Sequence, residues 1–384
     1  MDLNLTDEQR SIRDTTRAFA AREIAPRAKD LDKTAAWPTE LLSQIAELGL
    51  LGLAVPEELG GAGADNVAYA LAIEELSAAC ASVGVIASVN NSLVCDPLLK
   101  YATPAQAQKY LVPLARGTHI GCFGLTEPAS GSDASQMQTV ARREGDHWII
   151  DGSKNFITNG PHAETMVLFA STAKESGDPR ASTAFIVTRD MPGYLPQHHD
   201  GKLGIRAAHS CTVMFDGLKV PDAQRLGAIG EGYKIALGTL DGGRIGIAAQ
   251  ALGIARAAYE KALAYAHERK AFGEPIARKQ AIQFMIADMA TELDAARLLI
   301  WRAAWMKDQK RGSHRAESAM AKLYASEMAH RVCHKALQVF GGYGYTTEFD
   351  VERHYRDARI TEIYEGTSEI MRIVIAGAEL KRSQ

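Results

Sequence analysis

Apolar residues in the first part of the chain recur at the three- and four-residue spacing of an α-helix. The pattern begins just after Thr6 and Gln9, a pair that fits a helix capping box. A second helix is expected after Pro38, and an alanine-rich one over residues 67–81. We therefore predict an N-terminal α-helical domain over residues 1–117.

The pattern then changes to short runs of β-type residues, separated by glycine-containing pairs such as Asp151-Gly152 and Asp216-Gly217. We interpret these pairs as turns. The predicted strands are His147–Ile150, Phe156–Thr158, Met166–Ala170, Ala184–Thr188 and Thr212–Phe215. Many short strands divided by turns indicate a compact antiparallel sheet, and we predict a middle β-barrel domain over residues 118–227.

Helical spacing returns after Glu231, in long segments that are rich in Ala, Leu and Met and contain no proline. The segments cover residues 231–268, 278–311 and 314–339. Antiparallel packing of such helices gives a C-terminal four-helix-bundle domain over residues 228–384. The predicted fold class is α+β multidomain, with the order helical, β-barrel, helical.

Composition excludes several classes of protein. The chain has 384 residues, 46% of them hydrophobic and 23% charged, which argues against a mainly disordered chain. A net charge of −3 gives no general attraction to nucleic acid or to an anionic membrane. The five cysteines are scattered without a CxxC pair, as is typical of a reducing compartment. No run approaches the roughly 18 apolar residues of a membrane helix. We expect a cytoplasmic protein, or a mitochondrial matrix protein whose transit peptide has been removed.

Several common catalytic signatures are missing from the sequence, among them GxGxxG, the Walker phosphate loop, HExxH and GxSxG. His330, Cys333 and His334 share a helical face at near-ligand spacing for zinc. Two histidines on a charged helix are more often solvated, and no second ligand cluster completes a tetrahedral site. We therefore predict no metal.

Five segments could carry chemistry, although each taken alone has an ordinary structural explanation as a loop or a helix cap. The first, Cys122–Ser135, gathers hydroxyls and backbone amides around Gly131, an arrangement that can bind an anionic or heterocyclic ligand. In the last, Glu365 lies beside Ile363 and Tyr364. A partly apolar pocket of this kind would raise the pKa of the carboxyl group towards that of a useful general base.

The order and spacing of these segments are specific. The chain resembles the acyl-CoA dehydrogenase flavoprotein family over essentially its full length. The segments that carry the resemblance are LTEPASGSD (125–133), FITNG (156–160), LDGGRIGIAAQALG (240–253), ERKAFG (268–273), QVFGGYGY (338–345) and IYEGTSEI (363–370). Within the family, the short-chain (butyryl-CoA) members are the most similar ones at three segments: SVNNSL (88–93), LDGGR and IYEGTSEI.

The resemblance implies FAD as cofactor and assigns roles by position. Glu365 matches the catalytic base, and Ser132, Asp241, Arg244 and Gly366 match substrate-side positions. The positions that match FAD contacts are Phe123, Leu125, Thr126, Ser132, Phe156, Thr158, Arg269, Phe272, Gln280, Gln338, Gly341, Gly342, Thr367 and Glu369.

The resemblance also implies a reaction and partners. Glu365 would remove the α-proton of an acyl-CoA while a hydride passes from the β-carbon to flavin N5, giving a trans-2-enoyl-CoA. The reduced flavin would pass its electrons to an electron-transfer flavoprotein. The family further suggests a homotetramer, a dimer of dimers in which a neighbouring subunit completes each FAD site.

Two departures from the family pattern bear on these expectations. Many members have Trp where this chain has Phe156, so an aromatic face is kept but an indole N–H is lost. Some branched-chain and long-chain members carry the base on the LDGGR helix, where this chain offers no carboxylate beyond Asp241. This favours a straight-chain substrate. The sequence gives no comparable account of Ala208–Cys211.

Three alternatives stay open at this point. The same fold could act on a branched, aryl or dicarboxylic acyl-CoA, or it could be an acyl-CoA oxidase that uses O₂. A non-enzymatic scaffold would be expected to have lost its flavin and base positions. Glu365, Thr126, Thr158 and Arg269 are all present, which argues against that last alternative.

Overall fold

The computed structural model describes residues 4–173, 177–178, 181–197, 201–309 and 313–382. Within these ranges the chain forms a helical N-terminal part, a central sheet and a helical C-terminal part, in the predicted order. The exact boundaries after residues 117 and 227 stay predictions.

The N-terminal part is built from short helices that follow one another closely. The predicted capping box is confirmed, because the Gln9 backbone N–H donates to Thr6 Oγ1 at 3.1 Å and the Thr6 N–H donates to Gln9 Oε1 at 2.9 Å. Three π-helical turns join neighbouring helices at Ala20–Ile24, Val89–Cys95 and Ala107–Leu111. The helices are α1 (Asp7–Phe19), α2 (Ala25–Thr34), α3 (Thr39–Glu47), α4 (Asn66–Ala79), α5 (Ala81–Ser88), α6 (Asp96–Tyr101), α7 (Pro104–Gln106) and α8 (Val112–Ala115).

Helices α4 and α5 are apolar on nearly every side, and both lie in the main hydrophobic core. The continuous helical stretch Ala81–Tyr101 is long and apolar enough to cross a membrane by those two criteria alone. Most of it is buried inside the protein, as expected for a core helix.

Among the residues that the structure describes, the central sheet has eight strands and mixed pairing. The strand order is β6-β7-β3-β2-β4-β5-β8, with β1 beside β4. The strands are β1 (Gly121–Gly124), β2 (Val140–Glu144), β3 (His147–Thr158), β4 (Thr165–Ser171), β5 (Ser182–Thr188), β6 (Tyr194–Pro196), β7 (Ser210–Pro221) and β8 (Arg225–Leu226). A separate hairpin pairs β9 (Lys270–Ala271) with β10 (Glu274–Pro275).

The prediction of a closed antiparallel barrel is not confirmed. In the described residues β6 and β8 end the strand order without pairing to each other, and β4 pairs in parallel with β1 and with β2. The period-two pattern identifies strands but carries no information about their direction. The long connection between β1 and β4 is what allows their parallel pairing.

The two pairs interpreted as turns lie inside long strands instead. Asp151-Gly152 is part of β3, where the pairing register with β7 shifts between Ile150 and Gly152. Gly152 has a φ of +141°, and a side chain there would lie 2.7 Å from the Thr139 backbone. Glycine thus permits a bulge that bends the strand without ending it. For this reason the sequence divided β3 into two predicted strands.

The C-terminal part contains the three long predicted helices. They are α9 (Gly232–Glu268), α10 (Gln280–Gln309) and α11 (Arg315–Phe340), and residues 310–311 of the predicted second segment lie outside the described ranges. Two further helices follow, α12 (Val351–Ala358) and α13 (Ser368–Arg382). Helices α9, α10 and α11 pack on one another, α13 packs on α11, and α9 also contacts α4 and α5. The core is therefore continuous from the N-terminal to the C-terminal helices.

The Ala208–Cys211 segment, whose role could not be inferred from its sequence, contacts the loop that follows α2. His209 Nδ1 lies 2.9 Å from His162 Nε2, and His209 Nε2 lies 2.7 Å from the Ala35 carbonyl oxygen. Trp37 stacks on the His162 ring at 4.0 Å between centroids. These residues fasten the sheet to the loop that follows α2.

Candidate active site

Glu365 lies in the turn between a 3₁₀ segment (Arg359–Glu362) and α13. Its backbone φ is +52°, and that of Gly366 is +98°, so two consecutive residues adopt left-handed conformations. Such a conformation is unfavourable for a residue with a side chain and is often found at functional sites. Oε2 of Glu365 is fully buried and has no hydrogen-bond partner among the described residues.

The carboxylate of Glu365 packs against Gly243, the second glycine of the LDGGR segment on α9. A Cβ placed on Gly243 would lie 2.2 Å from Glu365 Oε2 and 2.7 Å from Leu93 Cδ2. Any side chain at position 243 would therefore occupy the space of the carboxylate. The sequence predicted that this stretch faces the substrate, and the structure brings it into contact with the predicted base.

Burial raises the pKa of Glu365 to about 7, and the positive charges of Lys322 and Arg244 partly oppose this rise. A carboxyl group with this pKa is present as a carboxylate in a substantial fraction at neutral pH, and it can also hold a proton there. These are the properties required of a general base that works near pH 7.

Asp241 and Arg244, one helical turn apart on α9, form a largely buried ion pair. Arg244 Nη1 donates to Asp241 Oδ1 at 2.5 Å. Burial lowers the pKa of Arg244 and raises that of Asp241, and the opposite charge of the partner counteracts each change. Nε of Arg244 is buried without a partner in the described part of the chain, so a donor is left over.

The buried polar residues Lys322 and Tyr69 near Glu365 were not identified from the sequence, and neither was Gly243. Lys322 on α11 is completely buried, and its Nζ donates to the Gly366 carbonyl oxygen at 2.5 Å. Tyr69 on α4 is buried and hydrogen-bonds through its hydroxyl to Ser88 Oγ at 3.0 Å. A signal for Lys322 was available, because Ala319 and Ala325 lie three residues away on either side, on the apolar face of the helix.

A second group of predicted residues meets where β1 and the loop after it run beside β3. Phe123 is half-buried in β1, and the Asn155 N–H donates to the Thr126 carbonyl oxygen at 2.7 Å. At the end of β3, Phe156 is 67% exposed with a φ of +58°. Thr158 pairs with Ser210 of β7. The Leu125 side chain is buried in a core cluster, and its backbone carbonyl accepts a hydrogen bond from Lys154.

A buried ion pair holds this loop against β3. Lys154 Nζ lies 2.7 Å from Glu127 Oε1 and donates to the Leu125 carbonyl oxygen at 3.1 Å. Glu127 also accepts from the backbone N–H groups of Gln138 and Thr139. Burial lowers the pKa of Lys154 to about 8, although the Glu127 charge opposes this change. Removing either partner would leave a buried charge unpaired.

A third group surrounds an open cavity of about 440 Å³ between the end of α9 and the end of α11. Its lining includes the predicted residues Arg269, Gly341 and Gly342. The Arg269 guanidinium lies 5.6 Å from the centroid of the Tyr343 ring. A cation beside glycines that leave open space suits an anionic ligand that approaches the backbone closely.

The remaining predicted residues are not brought into this cavity. Gln280 and Gln338 are exposed outside it, and Phe272 is 95% exposed on the hairpin after α9 with a φ of +53°. Ser132 is exposed on the loop after β1, while Thr367 and Glu369 lie at the start of α13. There the Ile370 N–H donates to Thr367 Oγ1 at 3.3 Å, which caps the helix.

The possible zinc ligands of α11 separate in the structure. Cys333 is buried in the core, whereas the rings of His330 and His334 lie beside Tyr355. No group of three or more potential metal ligands occurs in the part of the chain that the structure describes.

Comparisons with known proteins cover nearly the whole chain. The N-terminal, middle and C-terminal domains of acyl-CoA dehydrogenases match residues 6–118, 122–218 and 230–380. The chain belongs to the acyl-CoA dehydrogenase family. It is therefore an oxidoreductase, and the resemblance seen in the sequence is confirmed.

Several relatives are similar over their full length. The mitochondrial short-chain specific acyl-CoA dehydrogenase of Mus musculus is 50% identical, with 99% of this chain and 92% of that protein covered. The structure of butyryl-CoA dehydrogenase from Megasphaera elsdenii has a TM-score of 0.96 at 43% identity and covers 99% of this chain and all of that one. A third similar structure comes from work on the electron transferring flavoprotein of Acidaminococcus fermentans and flavin-based electron bifurcation. It has a TM-score of 0.97 at 46% identity, with 99% of this chain and 100% of that chain covered.

Acyl-CoA dehydrogenases bind FAD, and the residues present here fit that cofactor. The exposed Phe156 ring offers a flat apolar face beside the hydroxyl-bearing loop after β1. The cavity beside Arg269 offers a cation and open glycines to an anionic diphosphate.

Proposed function

We propose that the chain is an FAD-dependent dehydrogenase of short straight-chain acyl-CoA, with a butyryl-CoA-like substrate and a trans-2-enoyl-CoA product. The observation that carries the proposal is the buried carboxylate of Glu365, with a pKa near 7 and one oxygen unpartnered, packed against Gly243. The names of the relatives from Mus musculus and Megasphaera elsdenii support the short-chain assignment.

Glu365 acts as the base in this proposal. An α-proton of a thioester is weakly acidic, so its removal requires a positioned carboxylate and stabilisation of the developing negative charge on the carbonyl oxygen. The backbone N–H of Glu365 is a suitable donor for that oxygen, and Gly366 lets the chain turn beside it. FAD, when bound, supplies the acceptor for the hydride that leaves the β-carbon.

Asp241 and Arg244 orient the base and the substrate. Arg244 is held by Asp241 and contributes a positive charge that favours the carboxylate form of Glu365. Ser132, on the exposed loop after β1, is positioned for the CoA part of the substrate. This division of roles leaves Glu365 as the residue that moves the proton.

In this proposal the second and third groups of residues would hold the cofactor. The residues that would hold the flavin are Phe123, Leu125, Thr126, Phe156 and Thr158, and Arg269 would supply a positive charge to the diphosphate. The FAD contacts assigned to Phe272, Gln280, Gln338, Gly341, Gly342, Thr367 and Glu369 belong to the same proposal. The exposure of Phe272 and Gln280 is consistent with completion of the FAD site by a second subunit of a homotetramer, arranged as a dimer of dimers.

The electrons pass to an electron-transfer flavoprotein, a partner supported by the similarity to the Acidaminococcus fermentans chain. Nucleic acid and membrane are not partners in this proposal. The location is cytoplasmic, or the mitochondrial matrix by analogy with the mitochondrial relative.

The absorbance spectrum of the purified protein tests the cofactor, and anaerobic addition of acyl-CoA thioesters tests the substrate. Butyryl-CoA should bleach the flavin faster than octanoyl-CoA, palmitoyl-CoA, a 2-methyl-branched acyl-CoA, an aryl acyl-CoA or glutaryl-CoA. A faster reaction with one of the others would replace the short straight-chain assignment. In a dehydrogenase, the reduced flavin should be reoxidised by the electron-transfer flavoprotein and only slowly by O₂. Fast reoxidation of the flavin by O₂ would make the protein an oxidase.

A further inference from the structure

Lys322 is a fully buried lysine whose amino group points at the turn that carries the base. It lies on α11, and its Nζ donates to the Gly366 carbonyl oxygen at 2.5 Å. Burying an ammonium group is costly unless it is paired or hydrogen-bonded. Lys322 forms no ion pair within the described ranges, and the Gly366 carbonyl oxygen accepts from its amino group. Burial lowers the pKa of Lys322 to about 8, and the negative charges of Glu365, Glu362 and Glu369 oppose this change.

The turn that Lys322 contacts has an unfavourable backbone. Glu365 and Gly366 both have positive φ angles, and a left-handed conformation is unfavourable for a residue with a side chain. Gly366 is also enclosed, because a Cβ there would lie 2.5 Å from Met371 Cε. A charge-assisted bond to the Gly366 carbonyl fixes the peptide that follows Glu365, and with it the direction of the Glu365 side chain and N–H.

The charged and titratable side chains around Glu365 include groups on three helices. Arg244 and Asp241 on α9 are paired with each other at 2.5 Å, which divides the effect of Arg244 between two carboxylates. Tyr69 on α4 is neutral, since burial raises the pKa of its hydroxyl. Lys322 on α11 is the second cation near Glu365. Unlike Arg244, it forms no ion pair with a carboxylate in the part of the chain described.

We propose that Lys322 is a positioning residue of the active site, which holds the Glu365–Gly366 turn through the Gly366 carbonyl and sets a positive charge beside the base. The inference rests on the proposed function, because it assigns Lys322 a role in the proton removal by Glu365. Lys322 itself does not touch the substrate.

Three substitutions separate the hydrogen bond from the charge. Lys322→Met removes both, Lys322→Gln keeps a donor without the charge, and Lys322→Arg keeps the charge. Lys335→Met is the matched control, because Lys335 lies on the same helix and pairs with Asp288 and Glu292 of α10, away from Glu365. The measurements are the FAD content, the kcat and KM for butyryl-CoA, and the pH profile of kcat/KM.

We expect Lys322→Met to lower kcat about 10- to 100-fold while KM changes little, because a misplaced base costs rate more than binding. The acid limb of the pH profile should move upward by about one pH unit in Lys322→Met and Lys322→Gln, since a nearby cation lowers a carboxyl pKa. Lys322→Arg should restore the wild-type limb, and Lys335→Met should match the wild type in every measurement.

Wild-type kcat and an unmoved acid limb in an FAD-loaded Lys322→Met variant would overturn the proposal. If that variant does not retain FAD, Lys322→Gln decides by the same two measurements. These outcomes differ from failure of the proposed function, which would be seen in the wild type as flavin that no acyl-CoA bleaches.

Discussion

Position 243 offers a direct test of the catalytic geometry, because a single methyl group there reaches the base. In Gly243→Ala the new Cβ would lie 2.2 Å from Glu365 Oε2, whereas ordinary contacts begin near 3.4 Å. The carboxylate must therefore retreat by about 1.2 Å. A displacement of about 1 Å at a reacting group can cost on the order of 100-fold in rate, and we expect kcat to fall by about that factor.

Two effects of this substitution on folding oppose each other. Alanine is favoured over glycine inside a helix by about 1 kcal/mol, whereas the new Cβ would also lie 2.7 Å from Leu93 Cδ2 and crowd the core. The rate is therefore compared only between FAD-loaded proteins. Gly238→Ala is the matched control on the same helix, where the new Cβ would lie 3.8 Å from the Tyr101 hydroxyl, an ordinary contact. We expect Gly238→Ala to retain wild-type kcat and an equal or higher Tm.

The assay is anaerobic rapid mixing of each FAD-loaded variant with butyryl-CoA, followed through the visible absorbance of the flavin. Gly243→Ala should bleach slowly even when the substrate is saturating, and its FAD content should equal that of Gly238→Ala. A fully loaded Gly243→Ala that bleaches within about twofold of the wild type would refute the contact between this glycine and the base.

Three further predictions concern other parts of the site. Glu365→Gln should bind FAD and acyl-CoA, but its flavin should not bleach. Because burial raises the native pKa of Glu365 to about 7, wild-type activity should rise as the pH passes through 7. The Tm gain of the variant should be larger at pH 8 than at pH 5, where the native carboxyl is protonated. Equal Tm differences at both pH values would contradict that pKa. Arg269→Ala should weaken FAD binding about 10- to 100-fold in equilibrium titrations, while the exposed Arg278→Ala should not. Lys154→Met should lower the free energy of unfolding, measured in urea, by about 3–5 kcal/mol, because it leaves the Glu127 carboxylate buried without its ion-pair partner. A loss no greater than in the surface variant Lys219→Met would show that the buried ion pair does not stabilise the fold.

The helical parts of the fold were well predicted from the sequence, because their signals are local. The capping box at Thr6 and Gln9 is present, and the three long C-terminal helices begin and end within a few residues of their predicted bounds. The sheet was predicted less well. Gly152 and Gly217 permit bends inside β3 and β7, and sequence alone does not distinguish a bend in a strand from a turn between strands.

Site prediction depended on the type of residue. Glu365 was found because its chemistry is unusual in an apolar turn, and Asp241 and Arg244 because they belong to a recognisable segment. Gly243, which lies between them, was not identified as a site residue. Lys322 was missed, because its partner is a backbone carbonyl that lies far along the chain. A contact of this kind has no sequence motif, and only its position on the apolar face of α11 distinguished it from a solvated lysine.

Gly243 lies beside both Glu365 and Leu93, and this arrangement also bears on how the enzyme folds. The three residues are separated by most of the chain, so the pocket closes only after the N-terminal helices, α9 and the turn before α13 have met. Loops of this length close slowly, and contacts distant in sequence form late. In a refolding experiment catalytic activity should therefore return with the slowest kinetic phase, after the helical circular dichroism signal has recovered. Turnover then reports completed assembly of the chain more faithfully than secondary structure does.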